Sequence, residues 1–484
     1  MNLRFRKFKL TTPSLISVAV ILISGVLAIV ARSEWPGSVA FYDLMSIVFN
    51  ALLIMAIAKR KNIGFLFLAV ILWVGFWLKL TLKLLEKSQV WLEPTGYFDF
   101  SSSAWDQVAI VSTIGALAVL SASIIWRYRE VRCKLTGVAG WADERVRTIS
   151  IVIILAFVFI VVGINEFFNI AHGGLRPALD LTWPLQGVFV WLLTIAPLFA
   201  IVILYYLEVI SDRPLWWATV FFVIVGLALS YTTFSRGALV VQSATLLSIL
   251  VLWRRQIAWL SKKRLLPIAI MLILGSMLSI FVSQQRRIDV LPGYQSQSQS
   301  QSQSQSQSQS QSQSQSNYLN RAANFRYLLG RLVVDRWVGL EGMMAVSAYP
   351  EKSLDLLIQL VKERRTKDHV DAYTNKISRS SFNDTSHYQY ATMPGMFAFL
   401  YLSGSLWVVF FGAILLTLMV FALERAFNKI TANPFLAGFL GVSVAMMLIQ
   451  MGSALLQQAA MLFLSITIFL LVSVIARRLS KLTL

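Results

Sequence analysis

Long apolar stretches alternate with short polar segments along most of this chain. About twelve of these stretches are roughly 16 to 23 residues long, enough for an α-helix to cross the hydrocarbon core of a bilayer. The pattern predicts an all-α polytopic membrane protein. Its first stretch is too long for a cleaved signal peptide, so we expect it to be retained. The predicted spans are residues 13–31, 42–58, 63–82, 108–126, 149–164, 185–207, 215–232, 238–253, 267–282, 402–423, 434–451 and 456–476.

One long polar segment interrupts this alternation between the ninth and tenth predicted spans. We therefore divide the chain into four parts. They are residues 1–214 with six spans, residues 215–283 with three spans, a polar loop at 284–392, and residues 393–484 with the last three spans. This uneven layout differs from the duplicated halves of many transporters.

The polar loop itself has three predicted parts. Residues 295–316 repeat Gln-Ser without any apolar side chain to bury, which predicts a solvated tether. Residues 317–346 are predicted to be helical and rich in arginine. Residues 351–365 have an apolar face opposite a charged face, which is typical of a helix lying at a membrane interface. That apolar face consists of Leu354, Leu357, Ile358 and Val361.

The distribution of positive charge predicts the orientation of the chain. With the amino terminus placed inside, the cytosolic segments hold 24 Lys and Arg residues and the short outer segments hold 6. This bias predicts that both termini are cytoplasmic and that the loop lies on the outer side of the cell membrane. The net charge of +20 is then mainly a topology signal and a contact with anionic lipids, and does not indicate nucleic-acid binding.

Several classes of chemistry are excluded by what the sequence lacks. No predicted cytosolic segment has room for a nucleotide-binding domain, and no phosphate-binding loop motif occurs. No cluster of His, Cys or acidic residues has the spacing of a metal site, and the single Cys133 allows no internal disulfide. Because ATP and nucleotide sugars stay in the cytosol, a reaction on the outer face needs a substrate that arrives already activated.

The sharpest local signal is the tripeptide Ser235-Arg236-Gly237. It joins the seventh and eighth predicted spans at the outer interface. There a guanidinium lies beside free backbone N–H groups at the start of a helix, and both favour an anion such as pyrophosphate. The alternative is that Arg236 extends to lipid phosphates as an ordinary interfacial arginine.

The Ser-Arg-Gly turn, the large outer loop two spans later and the Pro394-Gly395 start of the next helix together resemble a known family. They resemble the Wzy-type O-antigen and exopolysaccharide polymerases, and more distantly the O-antigen ligases. The resemblance covers about residues 215–475. It implies a metal-independent membrane glycosyltransferase with a GT-C-like fold, no cofactor, and undecaprenyl-pyrophosphate-linked oligosaccharides as donor and acceptor.

The resemblance also implies that arginines bind the pyrophosphate and stabilise it as it leaves. Arg236 is the first candidate. The other candidate arginines have two alternative roles. One is a place on a solvated or ion-paired helix face, as the i, i+4 pair of Arg331 with Asp335 suggests, and the other is anchoring to lipid headgroups. These further candidates are Arg326, Arg331, Arg336, Arg286 and Arg287.

A general base is sought among residues predicted to lie outside. His387 precedes the Pro-Gly helix start, where the resemblance to the ligases implies a functional histidine, and Glu341 is the second candidate. Substrate contacts are predicted for Ser235, His172 and Arg176, the last two in a Gly-rich outer loop. A structural role is the alternative for His172 and Arg176.

Three functions therefore remain open from sequence. The first is a polymerase that joins lipid-linked repeat units into a surface polysaccharide, such as an exopolysaccharide or the O-antigen of lipopolysaccharide. Its expected partners are the lipid-linked donor and acceptor, a flippase and a chain-length regulator of the same pathway. The second is an O-antigen ligase-type transfer of a glycan to a lipid acceptor. The third is a secondary transporter, which the scarcity of ionisable residues in the apolar stretches disfavours.

Overall fold

A computed structural model of the chain describes residues 12–87, 91, 93–126, 144–172, 178–179, 181–182, 184–211, 213–235, 237–253, 262–290, 337–363, 371–379, 392–431, 433–452 and 455–482. Every regular element within these residues is a helix, and the described part of the chain contains no strand.

The α-helices are numbered in chain order. The first eleven are α1 Thr12–Arg32, α2 Val39–Ala58, α3 Ile63–Leu72, α4 Lys79–Leu85, α5 Ser102–Ile125, α6 Glu144–Phe168, α7 Leu185–Thr194, α8 Ala196–Ile210, α9 Trp216–Thr233, α10 Ala238–Trp253 and α11 Lys262–Val290. The remaining six are α12 Leu340–Ala348, α13 Leu354–Lys362, α14 Gly395–Tyr401, α15 Leu406–Thr431, α16 Pro434–Ile449 and α17 Leu455–Leu482. Two π-helices, Trp73–Leu78 and Tyr373–Ser378, complete the elements.

Eight helical segments in the described residues are long and apolar enough to cross a membrane. The chain is therefore a helical multi-pass membrane protein, as the apolar pattern predicts. The other four predicted spans coincide with shorter apolar helices, so the full number of twelve stays a prediction. The eight segments are Val39–Ala58, Ile63–Leu85, Ser102–Ile125, Arg147–Phe168, Leu185–Val209, Trp216–Thr233, Lys263–Ser283 and Leu406–Thr431.

Short polar side chains fix the beginnings of several helices. Ser101 accepts a hydrogen bond from the backbone N–H of Ala104 at the start of α5, and Ser353 accepts one from Leu356 at the start of α13. Asn433 caps α16, whose first residue is Pro434. Each cap satisfies backbone donors that have no partner inside their own helix.

Two predicted spans are present in the structure, but a break in the helix interrupts the first and shifts the start of the second. The span at 185–207 divides into α7 and α8 at Ile195, two residues before Pro197, whose ring nitrogen cannot donate to the preceding turn. Pro394-Gly395 begins the short helix α14 and not a membrane span. The span itself begins at Leu406 as α15, after a turn in which Gly404 has a φ of +73°.

The described part of the polar loop covers one end of the helix bundle, which we call the loop end. Helix α12 is buried there against α5 and α14, and Thr392 donates a hydrogen bond to the backbone carbonyl of Pro94. By the course of the chain, α4 ends and α5 begins at the loop end. The last turns of α6, α9 and α11 also lie at this end, and they provide most of the candidate site.

Close contacts at both ends hold this bundle together. At the loop end the ring of Phe76 packs on Phe397, with centroids 5.3 Å apart. At the opposite end the carboxylate of Glu424 accepts hydrogen bonds from the backbone N–H groups of Ile63 and Gly64, both at 2.9 Å. This carboxylate from α15 therefore caps α3 across the interface between the two helices.

The structure modifies two predictions for the loop. Helix α12 begins at Leu340, within the range predicted as helical, whereas residues 317–336 and the Gln-Ser repeat lie outside the described residues. Helix α13 has the predicted apolar face, but that face is divided. Leu357 and Leu360 pack on the protein, while Leu354 and Ile358 are exposed.

Candidate functional site

The end of α6 is tied to the end of α9 by a buried amide. Asn165 donates a hydrogen bond to the side-chain oxygen of Thr232 at 2.9 Å and accepts one from the backbone N–H of Ala171 at 2.8 Å. The second bond fixes the chain just after α6. His172, the next residue, is therefore held close to the ends of both helices.

Glu166 is the centre of the candidate site. Arg286, on the last part of α11, donates a hydrogen bond from Nη2 to Glu166 Oε2 at 2.8 Å. His172 Nε2 lies 3.5 Å from the other carboxylate oxygen of Glu166. One carboxylate thus faces a guanidinium and an imidazole that are 114 residues apart in sequence.

Two aromatic rings from the end of α9 complete the site. The guanidinium of Arg286 lies over the rings of Tyr231 and Phe234, at 4.7 and 6.0 Å from the centroids, which are cation–π distances. The imidazole of His172 packs on the ring of Phe234 at 4.9 Å. Phe234 has a φ of +54° as it ends α9, and Ser235 follows it. Ser235, the first residue of the Ser-Arg-Gly tripeptide, is therefore close to His172 and Arg286.

Three polar atoms in this cluster lack hydrogen-bond partners among the described residues. They are Nδ1 of His172, Oε1 of Glu166 and Nε of Arg286. Only 3% of the His172 side chain is exposed, so its free nitrogen is an orphaned buried group. A ligand that offers both donors and acceptors, such as a sugar or a phosphate, would satisfy these atoms.

The protonation of His172 follows from its surroundings. Burial lowers the pKa of His172, the nearby Glu166 opposes this shift, and Arg286 adds to it. The imidazole is therefore neutral at neutral pH. If its Nε2 carries the proton toward Glu166, Nδ1 has a free lone pair and can accept a proton or a hydrogen bond.

A second cluster lies under the start of the loop. Lys79 and Glu341 form an ion pair in which both side chains are fully buried, and Lys79 also donates to the backbone carbonyl of Trp337 at 3.0 Å. Burial raises the pKa of the Glu341 carboxyl, while the ammonium of Lys79 opposes that shift. Lys79 lies near the end of the third predicted span, where a lone lysine can extend to the interface. It is instead buried, because Glu341 neutralises its charge.

Two glycines allow the loop to approach α3 and the first π-helix this closely. A Cβ on Gly75 would lie 2.1 Å from the carbonyl oxygen of Val338. Gly339 has a φ of +139°, and a Cβ there would lie 2.4 Å from the ring of Phe76. Backbone therefore packs directly on the π-helix, and only glycine fits at these two positions.

The structure brings together some of the predicted site residues and separates others. His172 and Arg286 meet at Glu166, and Ser235 is beside them. Glu341 belongs to the second cluster, where it is paired and inaccessible to solvent. Arg287 is on α11, but its side chain is outside what the structure describes. The predicted residues that lie outside the described residues are Arg236, Arg176, Arg326, Arg331, Arg336 and His387.

Sequence reasoning missed Glu166, the residue that joins the site. A signal was present, because Glu166 is an acidic residue at the end of a long apolar stretch, followed by Phe167 and Phe168. An ionisable residue at the edge of a span is a functional candidate when a partner is identified. The partner Arg286 could not be identified from sequence, because 120 residues separate the two.

No group of three or more His, Cys, Asp and Glu side chains in the described part of the chain is placed to hold a metal ion. Comparison of the chain with models of protein families, with curated proteins and with solved structures finds no match.

Proposed function

We propose that this protein is a polymerase that joins polyprenyl-pyrophosphate-linked oligosaccharide repeat units on the periplasmic face of a bacterial inner membrane. The proposal includes twelve spans in a GT-C-like arrangement, both termini in the cytoplasm, and a flippase and a chain-length regulator as partners. It rests on the resemblance carried by Ser235-Arg236-Gly237, the large loop and Pro394-Gly395.

One structural observation supports this proposal most. His172 and Arg286, selected from sequence as substrate-contacting and anion-binding residues, meet at the carboxylate of Glu166, next to Phe234 and the following Ser235. They lie at the end of membrane helices, the level at which the pyrophosphate of a membrane-anchored lipid is found. Arginine suits such a ligand because its planar fork binds phosphate oxygens in pairs.

In the proposed step, a hydroxyl oxygen of the acceptor sugar bonds to the anomeric carbon of the donor. The bond from that carbon to the pyrophosphate oxygen breaks, and its electrons leave with the pyrophosphate. Arg236 and Arg286 stabilise the negative charge that develops there. The hydroxyl proton passes to a base, and the candidates are the neutral imidazole of His172 and, from sequence, His387.

The test is deletion of the gene followed by gel analysis of the surface glycan. Loss of long chains with single repeat units retained supports the polymerase. Normal chains that fail to attach to a lipid core indicate a ligase, and an unchanged glycan with lost solute uptake indicates a transporter. Either of these two results rejects the polymerase.

Complementation of the deletion strain then tests individual residues. We expect Arg236→Ala to abolish polymer, and Arg236→Lys to restore little because the paired donors are gone. Arg286→Gln should reduce polymer at least about tenfold, equivalent to about 1.4 kcal/mol of lost transition-state stabilisation. The matched control is Arg425→Gln, since Arg425 also lies over an aromatic ring but at the opposite end of the bundle. Equal loss in the control would remove Arg286 from the mechanism.

A further inference from the structure

Helix α9 is packed by neighbouring helices and still exposes one continuous stripe. Trp216, Val220, Ile224 and Tyr231 are 62%, 39%, 46% and 38% exposed, although most residues between them are buried. Their spacing places all four on one face of the helix. The stripe extends along the whole helix, about 27 Å for 18 residues, and ends at Tyr231 below the candidate site.

One neighbour, α11, packs on one side of this stripe. Val223 would be 2.7 Å from a Cβ on Gly275, and Ser279 donates a hydrogen bond to Ser230 at 2.7 Å. On a helical wheel, Val223 and Ser230 lie together on the face that precedes the stripe. Helix α11 therefore forms a wall along that side of α9.

Another neighbour, α6, packs on the other side. Arg147, near the start of α6, lies over the ring of Trp217 at 5.2 Å, and Asn165 at its end is bonded to Thr232. These α9 residues lie on the face that follows the stripe. The exposed stripe is thus the floor of a groove, about one helix face wide, with α6 and α11 as its walls.

At the loop end of the bundle, an ion pair closes the groove. Glu166 on α6 and Arg286 on α11 bond across it at 2.8 Å, and the guanidinium covers Tyr231, the last residue of the floor. Below Tyr231, the floor of the groove is apolar over at least three turns of α9. An apolar groove that is open to the bilayer and ends at a cation matches a lipid with one chain and an anionic head.

We propose that this groove binds the polyprenyl chain of the lipid-linked substrate, with the substrate's phosphate at Arg286. This inference rests on the proposed function for the identity of the lipid. A groove one helix face wide holds a single chain and not the two chains of a phospholipid. Because the groove opens sideways, the lipid reaches it without leaving the membrane. Binding transfers Arg286 from its single hydrogen bond with Glu166 to a phosphate, whose oxygens can also accept from the Nε of Arg286.

The experiment uses the full-length protein in liposomes, with a photoreactive amino acid in place of Ile224. The control has the same amino acid in place of Ile47, which is 66% exposed on α2, away from the groove. The probes are a radiolabelled polyprenyl phosphate and a radiolabelled phosphatidylglycerol. We expect position 224 to capture at least about tenfold more polyprenyl phosphate than position 47, a preference of about 1.4 kcal/mol. Phosphatidylglycerol should label both positions equally.

A second variant tests the contact with the head. Adding Arg286→Gln should reduce capture of the polyprenyl phosphate at position 224 several-fold and leave labelling at position 47 unchanged. Equal capture of both lipids at both positions, or capture that is indifferent to Arg286, overturns the proposal, because the stripe is then an ordinary lipid-facing surface.

The outcome is separable from that of the proposed function. Specific capture together with a normal glycan in the deletion strain leaves the groove in place and rejects the polymerase. A missing polymer together with unspecific capture supports the polymerase and rejects the groove.

Discussion

The environment of Lys79 is determined by Glu341, a residue from a distant part of the chain. A lone lysine in an apolar stretch predicts a side chain that extends to the interface. Both side chains are instead fully buried and paired. A buried pair gains little over an apolar pair of the same shape, but removing one partner leaves an uncompensated charge in the interior.

This pair gives the first prediction. Lys79→Met and Glu341→Leu should each destabilise the protein by about 3–5 kcal/mol, because each removes one member of a buried ion pair and leaves the other in the interior. The double variant should be more stable than either single variant. The measurement is thermal unfolding of the purified protein in detergent. If the double variant loses as much stability as the two single variants together, the two charges do not stabilise each other.

The second prediction concerns His172 and pH. Because burial lowers the pKa of His172, the unfolded chain takes up this proton at a higher pH than the folded chain. The stability contributed by the neutral imidazole is present above about pH 6.5 and decreases as the pH falls below that value. Wild-type Tm should therefore fall more between about pH 7.5 and about pH 5.5 than the Tm of His172→Gln. An identical pH dependence would contradict the pKa direction.

At the scale of single residues, the sequence predicted residue types that the candidate site contains, but it did not predict which of them would be in contact. His172, Arg286 and Ser235 were selected by chemistry, and the structure brings them together. Glu166 was missed because its importance depends on its two partners. Glu341 was selected for its charge and predicted position outside the membrane, yet its side chain is fully buried in an ion pair with Lys79.

At the scale of elements, close helix crossings depend on the absence of side chains. Gly64 on α3 faces Gly441 on α16, and a Cβ on Gly64 would lie 2.7 Å from the backbone of Gly441. Helices in a membrane gain little from burying apolar surface away from lipid, so such close backbone contact is a main source of their association.

The third prediction follows from this crossing. Gly64→Ala should destabilise the protein by about 1–3 kcal/mol, because backbone atoms cannot move aside as a flexible side chain would. Gly163→Ala is the matched control, since no atom lies within 4 Å of its added Cβ. The control should be neutral or slightly stabilising, as alanine favours a helix. Thermal unfolding of both variants measures the change in stability. Equal changes in the two variants would contradict the close contact between Gly64 and Gly441.

The positions of most helices could be predicted from sequence, while their interruptions could not. Apolar length identifies a span whatever its neighbours are, because lipid imposes the same requirement on every helix. The division of α7 from α8 and the late start of α15 depend on turns at Ile195 and Gly404. The loop packs on the π-helix Trp73–Leu78 at Gly75, a long-range contact that no local pattern indicates.

At the scale of the whole molecule, both polar clusters lie at the loop end. One joins α6, α9 and α11, and the other joins the loop to α3, α4 and their π-helix. The positive-inside bias predicts that the loop end faces outward. The side of the membrane on which it lies remains a prediction from charge.

The fourth prediction tests that orientation. In a Cys133→Ser background, Asp355→Cys places an exposed thiol on α13 at the loop end, and Lys61→Cys places one at the opposite end. A membrane-impermeant maleimide applied to intact spheroplasts should label position 355 and not position 61. Lysis should then allow labelling of both. The reverse pattern would place the loop in the cytosol and remove the basis of the proposed function.

The pairing of Lys79 with the loop also affects how the protein is made. The carbonyl that Lys79 contacts belongs to Trp337, 258 residues later in the chain. At a synthesis rate of about 5–20 residues per second, roughly 10–50 s pass between the emergence of the two segments from the ribosome. During that interval the third apolar segment carries an ammonium group without its final counter-ion. The buried pair therefore forms only after translation supplies Glu341.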